Sequence, residues 1–213
     1  LENKGYLSEK FHSVGLPRTS LIKSPLTELS RGKYKRFYTI KEDSLLVVCF
    51  GLMPLSDFEV GLYGEDGTSI QSCIEFVEVL SQLAKYFSHM YFLIRFKAID
   101  EIFQVLPSDL LSKIHAMPNI EIISDLKKHN SYTLLSLADL VIGKQTSIME
   151  EALAGGKKVI FYDNEKYISS FDYILGDMDI IVSNYNELQK RVEESTNGKY
   201  ILPQQIKKFN ENY

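Results

Sequence analysis

With 213 residues, 45% of them apolar, and 24 basic against 28 acidic side chains, the chain has the material for one large domain with a packed core. No apolar run nears the roughly 18–20 residues that would cross a bilayer. Residues 1–41 hold nine Lys and Arg against three Glu, so the remainder is acidic, which argues against a nucleic-acid-binding surface there.

The basic run Arg31-Gly-Lys-Tyr-Lys-Arg36 suits an anionic lipid surface, a phosphorylated ligand, or a solvated linker facing another domain. Leu45–Phe50 is then a continuous apolar run of strand length, closed by Gly51 and Pro54. Residues 52–68, with Gly61, Gly64 and Gly67, read as a long loop. Apolar positions recur at helical spacing from Ser69 to Phe87, and Met90–Phe96 is a second strand. A helical stretch from about Ile99 to His115 is interrupted at Pro107, with Ser108 or Asp109 to cap its second part. Ile120–Ile123 is a third strand, Ser131–Ala138 a short helix capped by Ser131, and Asp139–Gly143 a fourth strand. Thr146–Ala154 is helical and stops at Gly155-Gly156, a pair suited to left-handed backbone angles. Lys158–Tyr162 and Asp179–Ser183 complete the strands, and Tyr185–Ser195 is the last helix. Strands apolar on both faces, alternating with helices, predict an α/β fold: a doubly wound, Rossmann-like parallel sheet of about six strands over residues 42–200.

In such a sheet ligands bind beyond the carboxyl ends of the strands. The loop after the fourth strand is the most informative: Gly143 is followed by Lys144, Gln145 and Thr146, and Ser147 opens a helix. Free amides at a helix start, with hydroxyls beside them and a lysine nearby, suit an anion. Glu151 lies one turn on from Ser147 and suits ribose hydroxyls. The same spacing also fits a plain capping box. Arg95 and Lys97, after the second strand, could neutralise phosphate or leaving-group charge. Asp163 and Asn164 could meet a sugar or turn the chain. Neither a P-loop nor a dinucleotide-binding glycine fingerprint is present. Cys49 and Cys73 read as buried thiols of a reducing cytosol, and His12, His89, His115 and His129 lack metal-ligand spacing, so no metal is expected.

Residues 138–163, from Ala138-Asp-Leu-Val-Ile-Gly to Val-Ile-Phe-Tyr-Asp163, resemble the signature region of GT-B glycosyltransferases. They are similar to surface-polysaccharide transferases, CDP-glycerol glycerophosphotransferases and UDP-N-acetylglucosamine 2-epimerases. The resemblance implies that Thr146 and Ser147 bind phosphate, that Glu151 binds ribose, and that Gly156 is the glycine before the next strand. Gly15-Leu-Pro-Arg-Thr-Ser-Leu21 is similar to the segment that ends the N-terminal domain in the glycerophosphotransferases. It implies an interdomain crossing over 1–41, a donor-binding domain over 42–200, a tail over 201–213, and an acceptor-binding N-terminal domain outside this chain. The start at Leu1 fits that expectation. The implied activity is transfer of a sugar or polyol phosphate from a nucleotide-activated donor to a glycan or lipid-linked acceptor. No cofactor or metal is expected, and the location is cytoplasmic with peripheral contact at the inner membrane face. The fragment alone would bind donor without turning it over. A 2-epimerase, or a non-catalytic domain that keeps the fold as a scaffold, stands as the alternative.

Overall fold

The computed structural model describes residues 22, 28–55, 67–97, 99–124, 130–144, 146–165 and 180–200. Six strands form one parallel sheet: β1 (Leu45–Gly51), β4 (Met90–Phe96), β5 (Ile120–Ile122), β6 (Leu140–Gly143), β7 (Val159–Tyr162) and β8 (Ile181–Val182). Two short strands, β2 (Met53–Leu55) and β3 (Gly67–Ser69), pair with each other in parallel, in a region that reads from sequence as loop. The large sheet runs β5-β4-β1-β6-β7-β8. Its strands therefore follow the doubly wound order, in which the first strand is central and the connection reverses between β1 and β6. That reversal is fixed by the pairing of Val47 with Leu140, Cys49 with Ile142 and Phe50 with Gly143.

Both faces of the sheet are covered, which is why its strands are apolar throughout. On one face Val47, Cys49, Phe92, Ile94, Ile142 and Ile160 pack into a single buried cluster. Over that face lie α2 (Ile70–Tyr86), α3 (Ile99–Val105), α4 (Ser108–His115) and α7 (Tyr185–Thr196). On the other, Leu46, Val48, Phe50, Leu93, Val141, Val159 and Phe161 meet α5 (Ser131–Leu137) and α6 (Ser147–Ala154). The alternation along β1, odd residues one way and even the other, is the pleat of a strand.

Four local features differ from the sequence reading. The basic run lies within a helix, α1 (Glu28–Phe37), with Lys35 and Arg36 in its last turn, where they complement the helix dipole. Lys35 Nζ donates to the Glu42 carbonyl at 2.5 Å and the Ser44 carbonyl at 2.9 Å, tying the helix end to the approach of β1. Tyr38, Ile40 and Ile22 are buried in the second cluster, so the core extends upstream of residue 42. Asn130, not Ser131, caps α5: its Oδ1 accepts from Tyr132 N at 2.8 Å. Pro107 precedes α4 without any side-chain cap.

The Gly155-Gly156 terminator behaves as read. Gly156 takes φ of 81°. The amides of Gly156 and Lys157 reach back to the carbonyls of Leu153 and Ala152, each at 3.0 Å, which is the double bond of a Schellman stop.

Candidate functional site

At the reversal between β1 and β6, both strands end on glycine. A Cβ at Gly143 would stand 2.6 Å from the Phe50 carbonyl oxygen and 2.7 Å from Met149 Sδ, so only a glycine lets the strands and α6 approach this closely. Lys144 N donates to the Phe50 carbonyl at 3.1 Å, carrying the pairing one residue past the strand. The chain then enters α6 at Thr146, the N-cap residue, in extended backbone.

The capping-box alternative does not form. Thr146 makes no side-chain cap bond, and its buried Oγ1 has no hydrogen-bond partner among the described residues. Such an atom in a native fold is satisfied by an ordered water, an ion or a ligand. The first amides of a helix also have none within it. Ser147, beside them, is exposed. One turn on, Glu151 is 8% exposed, and its Oε2 accepts from the Tyr132 hydroxyl at 2.6 Å. Burial, and then the neighbouring Glu151 charge, push the Glu150 carboxyl above its usual range.

Lys144 has a different setting from its loop neighbours. It is 4% exposed. Its Nζ donates to Ser72 Oγ at 2.6 Å, to Asn164 Oδ1, and to Glu165 Oε2 at 3.4 Å, and it lies 5.6 Å from the Tyr162 ring centroid. Glu165 accepts from Thr68 and Ser69 hydroxyls, and Asn164 Nδ2 donates to Glu75 at 2.7 Å. Ser69 in turn caps α2, accepting from Ser72 N at 3.1 Å. Burial draws the Lys144 ammonium below the ordinary lysine value, against the opposing pull of Glu165. Burial acts upward on Glu165, yet hydroxyl donation from Thr68 and Ser72 and the Lys144 charge hold it below the usual carboxylate range.

The structure thus brings Thr146, Ser147 and Glu151 together on one helix start and turns Lys144 into a polar network joining β6, β7 and α2. Arg95 sits on β4 opposite Phe50 of β1, half-buried, and burial lowers its pKa. Lys97 is exposed just past that strand, and Gln145 lies outside the described residues. Asn164 does more than turn the chain, as a member of the network. Sequence reasoning passed over Thr68, Ser72, Glu75, Glu165 and Tyr132. The only local signal was Ser69-x-x-Ser72 at the start of an amphipathic helix. It also passed over the acidic pair Asp177 and Asp179, which lies outside the described residues. Among the described residues no group of three His, Cys, Asp or Glu could hold a metal ion, and no helix is long and apolar enough to cross a membrane.

Solved structures share this architecture. The wall teichoic acid polymerase TagF matches with a TM-score of 0.63 and 16% identity, over 97% of this chain and 48% of its own. The UDP-GlcNAc 2-epimerase of Neisseria meningitidis, solved with UDP-GlcNAc, matches with a TM-score of 0.53 and 16% identity, over 87% of this chain and 49% of its own. S. aureus MnaA, solved with UDP, matches at 0.60 and 10% identity, over 99% of this chain and 50% of its own. The chain therefore spans about half the length of the solved chains it resembles. The likeness is one of fold: a Rossmann-like domain with a parallel six-stranded sheet. No protein-family model matches the chain, and no curated protein matches its sequence.

Proposed function

We propose that this chain is the donor-binding half of a GT-B-type transferase acting on a nucleotide-activated sugar or polyol phosphate, with a surface glycan or lipid-linked acceptor. The observation that carries the reading is the buried, unpartnered Thr146 Oγ1 at the head of α6, at the sheet's reversal point. There a diphosphate would take the Thr146 and Ser147 hydroxyls and the first amides of α6, which the helix dipole favours. Glu151 would accept from ribose hydroxyls. Lys144 would hold the loop through its network and lend positive charge behind the phosphate, while Arg95 or Lys97 would offset leaving-group charge. The general base and the acceptor site fall to a domain outside this chain, and the whole enzyme would work at the inner membrane face. The UDP and UDP-GlcNAc complexes of two similar folds support a nucleotide-diphosphate ligand.

Calorimetric titration with UDP, CDP and GDP tests this. Hydrogen bonds to charged groups contribute about 1.5–3 kcal/mol, so Ser147→Ala and Glu151→Ala should each weaken the preferred nucleotide roughly 10- to 100-fold. Unchanged affinity would remove the site assignment. No binding of any nucleotide by the wild type would favour a scaffold.

A further inference from the structure

We propose that Tyr132 is the positioning residue of the donor site, and that through Glu151 it makes the site selective for ribonucleotides. This rests on the donor-site reading above. Glu151 is buried, and a buried carboxylate needs a donor if it is to keep one orientation. Among the described residues the Tyr132 hydroxyl supplies it, at 2.6 Å to Oε2.

Tyr132 is itself well anchored. Its backbone amide donates to the Asn130 cap at 2.8 Å, at the start of α5. Its ring packs against the buried cluster that includes Leu134, Leu135 and Met149, so the hydroxyl is delivered by a fixed phenyl ring rather than a flexible chain. α5 leads directly into β6, whose far end opens the phosphate loop. One stretch of chain therefore supplies both the phosphate-loop strand and the residue that aims the ribose carboxylate. With Oε2 engaged, Oε1 is the oxygen left to accept from a ribose hydroxyl. A nucleotide lacking those hydroxyls cannot use the arrangement, and rejecting it follows from an acceptor built for a missing donor.

The test compares a ribonucleoside diphosphate with its 2′,3′-dideoxy analogue by calorimetry, in the wild type, Tyr132→Phe and Glu151→Ala. The wild type should prefer the ribonucleotide by tenfold or more. Tyr132→Phe should shrink that preference toward unity, mainly by weakening the ribonucleotide, while the dideoxy analogue binds as before. A merely structural tyrosine would lower both affinities together, and that outcome overturns the proposal. If Glu151→Ala abolishes the preference but Tyr132→Phe retains it, the donor site stands and the role of Tyr132 falls. If the wild type binds neither nucleotide, the donor-site reading itself fails.

Discussion

Lys144 is a buried ammonium whose hydrogen bonds go to Ser72, Asn164 and Glu165, residues from α2 and the end of β7. Taking a charge out of water is costly unless its counter-charge comes too, and removing one partner of a buried pair is costly to the extent that the charge left behind has no other hydrogen-bond partners. Glu165→Gln should therefore destabilise the fold at neutral pH by about 2 kcal/mol, discounted from the fully buried case because the Glu165 side chain is 19% exposed. Lys144→Met should cost less, since Glu165 keeps its hydroxyl donors. Urea unfolding of both variants checks the order; a Lys144→Met variant as unstable as Glu165→Gln would overturn the ionic account. The pH dependence has a definite sign. The folded carboxyl value is held below 4.5, so its contribution is present above that pH and disappears as pH falls through the folded value. The gap between wild type and Glu165→Gln should close in the same acid range.

At the scale of elements, α6 and the strand before it are set by glycines with separate duties. Gly143 permits close approach: the 2.6 Å separation of a would-be Cβ from the Phe50 carbonyl means that backbone would have to move. Gly156 has open space around it but a φ of 81°, so its duty is conformational. Gly143→Ala should cost about 2–3 kcal/mol through overpacking and lower nucleotide affinity as well. Gly156→Ala should cost roughly 1–2 kcal/mol and leave affinity unchanged. Thermal unfolding paired with nucleotide titration separates them; equal loss of binding in both would contradict the division. The helical period of α2, the two-faced apolar runs of the sheet and the glycine stop of α6 were legible because each depends on neighbours within a turn or two. β2 and β3 were not, being three-residue strands in a glycine-rich stretch that pair across the chain. The start of α6 was legible as either a candidate anion site or a capping box, and only the position of Thr146 Oγ1 shows that the box does not form. The partners of Lys144 and Glu165 were beyond reach, since those bonds join residues 72 and 97 positions apart. Local spacing carries no record of them.

Over the whole molecule, the segment before residue 42 is the place where expectation and packing meet most directly. An interdomain crossing that merely links two bodies would leave its apolar side chains outside the core of either. Here Tyr38 and Ile40 are each 6% exposed and Ile22 4%, all in the cluster that also holds Val48, Val141 and Met149. Ile22 also reaches the end of α6, where a Cβ on Gly155 would come within 2.9 Å of its Cγ2. The upstream segment thus helps cover the sheet face on which α6 lies. Burial of an isoleucine side chain contributes about 1.5–3 kcal/mol, and truncating one inside a packed cluster costs about 2–5 kcal/mol. Ile40→Ala should accordingly lower the unfolding free energy by that amount, read as a lower urea midpoint at an unchanged denaturant slope, because the rest of the core stays in place. Removing residues 1–41 strips all three side chains from the same face and should lower the midpoint further, with apolar surface newly open to a dye such as ANS. A chain beginning at residue 42 that unfolds at the wild-type midpoint would mean that the segment is a linker after all, and that its burial contributes nothing to the stability of the fold.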